Sequence, residues 1–122
     1  MEDRSDAMIL IAYFYEVFAE TPAHGRNRPP QELQALDIDS FAGMCAFLFP
    51  VLGGNRTPAR FANSMHGQRQ GFRQYINETR QFSRRHRECE VVARFWGHND
   101  PQTRAALWSE IEGCFQQAVL AV

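Results

Sequence analysis

Lysine is missing from this 122-residue chain, and all thirteen basic residues are arginine. Without lysine there is no phosphate-loop lysine, no Schiff-base lysine and no lysine general base. Two origins fit the absence: a GC-rich coding sequence, or selection for arginine's planar, multiply donating head or against ubiquitin attachment. Cysteine is scarce. Cys45, Cys89 and Cys114 are an odd number at wide spacing, which points to reduced thiols in a reducing, cytoplasmic setting.

Long hydrophobic runs are also lacking. The apolar stretch from Met8 to Tyr15 is too short to span a bilayer. It follows Glu2, Asp3 and Asp6 where a secretory signal would carry positive charge, and Glu16 closes it early. No Gly-x-Ser-x-Gly, His-Glu-x-x-His or glycine-rich phosphate loop occurs. The close acidic pairs, Asp37 with Asp39, Glu88 with Glu90 and Glu110 with Glu112, are two residues apart, which on a helix turns carboxylates about 200° from one another. These absences argue against an enzyme, and no catalytic residue is assigned.

A metal site finds little support. His86 and Cys89 lie three apart on one helical face, but structural zinc uses two closely spaced ligand pairs and only one is present. No metal and no cofactor is expected. A cysteine in an apolar seam has a raised pKa, so Cys89 reads as inert.

What is present is helical. Strand-type alternation is not sustained, whereas 3.6-residue periodicity and helix caps recur. The class is therefore all-α, a compact single domain of five or six helices over residues 1–122, built around the first, fifth and last. The first helix is expected from about Asp6 to Glu20, apolar on most sides, and so either central in the core or one face of a dimer. A loop from Pro22 to Pro30 carries Arg26 and Arg28. A short helix follows over Pro30 to Asp37, and a third starts after Asp39-Ser40 and is ended by Pro50 with Gly53-Gly54. Thr57-Pro58 opens a fourth, short helix that gives way near Gly67 to Gly71. A long fifth helix spans about 71–96, with Phe72, Tyr75, Thr79, Phe82, His86, Cys89, Ala93 and Trp96 at coiled-coil spacing. Asn99-Asp100-Pro101 starts the last, which should dock antiparallel against the long one. Tyr15 and Phe49 are the aromatics whose phase leaves them partly exposed.

The net charge of −1 conceals a division along the chain. Residues 1–55 hold eight acids and three arginines, residues 56–94 nine arginines and three acids, and residues 95–122 three acids and one arginine. Within the basic third, Arg73, Arg80, Arg87 and Arg94 recur every seven residues, flanked by Arg69 and Arg84, with Gln74 and Gln81 repeating beside them. On one continuous helix this row is a cationic ridge about 31 Å long. Arginine forks onto phosphates and glutamine exchanges hydrogen bonds with ribose hydroxyls, so the expected function is non-catalytic binding of nucleic acid, double-stranded RNA by preference, by a homodimer. Some small viral suppressors of RNA silencing work through helical dimers of this sort, an analogy that no motif here carries. The competing expectation is a protein-protein adaptor or inhibitor docking an acidic partner surface through the same arginines. A plain solvated face, with Glu90 paired to Arg94 and Glu88 to Arg84, is the third.

Overall fold

The computed structural model describes residues 4–23, 25–76 and 87–121. The described residues form six helices: α1 (Arg4–Phe18), α2 (Gln31–Gln34), α3 (Phe41–Leu52), α4 (Pro58–Ile76), α5 (Arg87–Val92) and α6 (Pro101–Leu120). Among the described residues there is no strand, and the one β-bridge joins Glu20 to Arg28. The all-α expectation holds.

α1 is the axis of the molecule. Its nine residues from Ala7 to Tyr15 are all buried, which requires apolar side chains around the whole circumference. α3, α4, α5 and α6 all pack on it. Phe14 meets Trp108 at 5.5 Å between ring centroids, and Arg104 lies over the Phe18 ring at 5.0 Å, so α6 runs antiparallel to α1. Each large side chain taken from water there contributes roughly 1.5–3 kcal/mol. The surface read as a dimer face is thus covered by the chain's own helices.

Several boundaries differ from the sequence expectation. α4 does not stop at Gly67 to Gly71; it runs through both glycines to Ile76. A helical glycine costs about 1 kcal/mol against alanine, less than the burial of Phe61, Met65, Phe72 and Tyr75 along the same helix returns. A helix beginning at Gly71 and ending at Trp96 is therefore corrected at both ends. Gly71 lies inside α4, which starts at Pro58, and Trp96 lies beyond α5, which closes at Val92, after which Phe95 and His98 amides reach back only three residues. Residues 77–86, which include Thr79, Phe82 and His86 of the seam, lie outside the described residues.

Pro50 sits inside α3 rather than ending it. It falls in the last turn, where its missing N–H forfeits a single bond, and the Gly53 amide still donates to the Phe49 carbonyl at 2.8 Å. α6 begins where expected, with Asp100 accepting from the Thr103 amide at 2.9 Å. It packs on α1 and α3, however, and not along α4 or α5 as its main partner. No helix among the described residues is long and apolar enough to cross a membrane.

Candidate nucleic-acid interface

α4 and α5, with the turn after α5, position the described part of the arginine set. The buried positions of α4 are Phe61, Met65, Phe72 and Tyr75. Arg69 stands four residues after Met65 and three before Phe72, so the helical repeat sets it on the packing face and not on the solvent face. Its side chain is 15% exposed. The guanidinium lies 4.6 Å from the Tyr15 ring centroid and 4.9 Å from that of Phe41, and its Nε donates to Glu16 Oε2 at 2.9 Å. Tyr15, expected to be partly exposed, is buried beneath it and meets Phe41 edge-on at 4.9 Å. Burial pushes the Tyr15 hydroxyl pKa up, against the pull of the Arg69 charge.

Arg73, one turn further on, donates its Nε to the second oxygen of Glu16 at 2.7 Å. One carboxylate from α1 thus holds two arginines of α4. Gln74 is exposed beside Arg73. At the other end of α1, Asp6 accepts from Arg87 Nη2 at 2.6 Å and from Nε at 3.1 Å, a fork-on-fork pair. Glu90 lies 3.7 Å from Arg87. Arg94 pairs with Glu110 of α6 and lies over the Phe95 ring at 4.6 Å.

The expected Glu90–Arg94 pair is therefore replaced by Glu90–Arg87 and Glu110–Arg94, because the helix has ended at Val92 and position 94 no longer follows its register. Arg80, Gln81 and Arg84 lie outside the described residues, as does the Glu88–Arg84 pairing.

The electrostatic outcome is cancellation. Arg69, Arg73, Arg87 and Arg94 meet Glu16, Asp6, Glu90 and Glu110, four guanidiniums against four carboxylates. Asp6 and Glu16 of the acidic first third meet Arg69, Arg73 and Arg87 of the basic middle. Arg73, Arg87 and Arg94 nevertheless keep about half of their side chains in solvent. Between α1 and α5 this leaves a cleft of about 310 Å³ lined by Asp6, Leu10, Arg87, Val91 and Arg94 among others.

A further clamp escaped the sequence reading. Arg104 of α6 donates Nε and Nη2 to the two oxygens of Glu32 at 2.8 and 2.5 Å, and this holds the Glu32 carboxyl below its usual range. No local signal points to it, since 72 residues separate the partners.

The Cys45 thiol is held in its unreactive, protonated form. Cys45 and Cys89 are buried, and burial pushes Cys45 to about 11. Among the described residues no three His, Cys, Asp or Glu side chains are grouped to hold a metal ion. Compared with protein-family models, with curated proteins and with solved structures, the chain matches none.

Proposed function

We propose that this domain works by binding a protein partner, without catalysing a reaction, and that its surface meets acidic groups of that partner. The observation that carries this reading is that each of the four described ridge arginines meets a carboxylate of the same chain. Binding to duplex RNA or DNA draws most of its free energy from arginines or lysines that replace condensed counterions on phosphates. The described part of that face, four arginines matched by four carboxylates, supplies little of that energy. Docking to a protein needs only a few well-placed side chains. Arg26, Arg28, Arg56 and Arg60 make no ion pair among the described residues and are available for that role.

A second reading retains duplex RNA, with silencing suppression as its biological form. It draws on Arg80, Gln81 and Arg84 and on the solvent access that Arg73, Arg87 and Arg94 keep. Titrating a short fluorescent RNA duplex at low salt separates the two. Under the protein-partner reading no saturable binding occurs below roughly 100 µM, the weak end of non-specific phosphate association. Micromolar binding whose logarithm falls linearly with the logarithm of salt concentration would overturn it. The variant Asp6→Asn with Glu90→Gln and Glu110→Gln, which removes the carboxylates that meet Arg87 and Arg94, should gain RNA affinity over the wild type and steepen the salt dependence.

A further inference from the structure

α3 and α6 lie side by side and run the same way. Phe41 of α3 meets Tyr15 at 4.9 Å and Arg104 of α6 lies over the Phe18 ring at 5.0 Å, so both helices start at the C-terminal end of α1. Further along, Phe47 stacks on Phe115 at 6.3 Å between ring centroids. One turn beyond that stack come Val51 on α3 and Val119 on α6. α3 buries Phe41, Met44, Cys45, Leu48 and Leu52, which leaves Ala46 and Pro50 exposed and Gly43, Phe47 and Val51 partly buried on its outer side. Val119 and Leu120, at the end of α6, are 49% and 84% exposed, two of the three large hydrophobic side chains that stand in solvent among the described residues.

The face these residues share carries no charge. α3 contains no charged residue, and neither does the sequence from Gly113 to Val122, although 22% of the chain is charged. Glu112, at its edge, accepts from the Trp108 indole N–H at 3.0 Å. Exposed charge stands at the two ends of α3, where Asp39 precedes the helix and Arg56 follows it, and neither is in an ion pair among the described residues. Interfaces between identical chains are the more apolar class, whereas surfaces that meet separate partners are about as polar as the rest of a protein. A patch that faces its own copy also excludes charge from its centre, because a two-fold axis would set like against like. The net charge of −1 adds little repulsion between copies.

We infer that the α3–α6 face seats a second copy of this chain. A two-fold axis across the helices reverses their direction in the second copy, and so brings the Leu120 end of one to the Gly43 and Ala46 end of the other, a protruding side chain over small ones. The same reversal brings the Arg56 end of each copy to the Asp39 end of the other, opposite charges at the rim. The twelve residues of α3 extend about 18 Å, and two helices side by side are about 20 Å across. The face therefore covers roughly 360 Å², about half of what each partner gives up in a standard interface. Such a dimer is weak and dissociates at about 10–100 µM. It goes beyond the protein-partner reading, and either stands without the other.

Analytical ultracentrifugation of the intact chain from about 1 µM to about 1 mM is the test, a range that brackets the expected dissociation constant. The mass should rise from that of one chain toward that of two. Ala46→Glu and Leu120→Arg, both at exposed positions, should each weaken the dimer about tenfold or more. Mixing the two variants should restore it, because the introduced acid of one then meets the introduced base of the other while the second contact between Leu120 and Ala46 stays native. Two unfolded variants could not give that recovery. A chain that stays monomeric up to about 1 mM, or a dimer that both substitutions leave intact, would overturn the inference. A mixture that stays monomeric would overturn the reversed seating of the two copies.

Discussion

Glu16 and Arg69 form a half-buried ion pair at 2.9 Å, and the two residues come from helices that pack side by side. Glu16 is 12% exposed and also holds Arg73, so it is the hub of the contact. Removing one partner of a shielded pair leaves the other charge without compensation. Glu16→Gln should therefore cost about 2–3 kcal/mol, whereas Arg73→Ala, at an arginine half in solvent, should cost about 1 kcal/mol or less. Urea midpoints at unchanged m-value are the readout. Equal losses in the two variants would contradict the hub.

The two glycines that the sequence offered as helix breakers supply an opposite test. A Cβ added at Gly67 or Gly71 meets nothing within 4 Å, and both lie inside α4. Gly67→Ala and Gly71→Ala should each stabilise the domain by about 0.5–1 kcal/mol. Gly53→Ala should do the reverse, because its Cβ would lie 2.7 Å from the Phe49 carbonyl oxygen as well as against the Phe49 ring. Thermal melts of the three variants order them.

At high pH the core itself should loosen. Burial raises Tyr13 to about 12, moderated by the backbone at Gly97, and Cys45 to about 11. For both groups the folded pKa lies above the unfolded value, so the folded state holds its proton longer. Their stabilising effect is complete below the unfolded pKa and fades as pH climbs, from about 9 for the thiol and about 10 for the phenol. Each transition is worth about 2–3 kcal/mol. Tyr13→Phe should flatten the decline above pH 10 at the expense of the 3.0 Å hydrogen bond to the Phe95 carbonyl. Denaturation curves at a series of alkaline pH values follow this.

At low pH the sign is reversed. Arg104 holds the Glu32 carboxyl below its usual range, so the pair's contribution is present above the unfolded pKa and is lost as pH falls through the folded one. Glu32→Gln should remove part of the acid dependence below pH 4.5 and leave the neutral-to-alkaline dependence as it was. An unchanged acid limb would show that the pair makes no net contribution.

Much of the architecture was legible in the chain because it follows local rules. Ser40 and Asp100 announced the starts of α3 and α6, since each accepts from the amide three residues on. The all-round apolar surface of α1 announced a helix that had to be covered, by its own chain or by a second copy, and its own chain covers it. The arginine set was read less well, because a heptad count treats positions as equivalent when their surroundings differ. Arg69 could have been placed inward from Met65 and Phe72, which bracket it at four and three residues. Glu16 reaches Arg73 and Asp6 reaches Arg87 from α1, 57 and 81 residues away, and Glu110 of α6 meets Arg94 across 16 residues, and no local pattern encodes such partners.

The enclosed position of α1 has a consequence for biosynthesis. This greasy rod leaves the ribosome before the α4, α5 and α6 segments that sheathe it. Until they emerge, a nascent molecule would display Ile9, Leu10, Phe14 and their neighbours bare to the surroundings, and would depend on chaperone cover or on speed of completion to escape clumping.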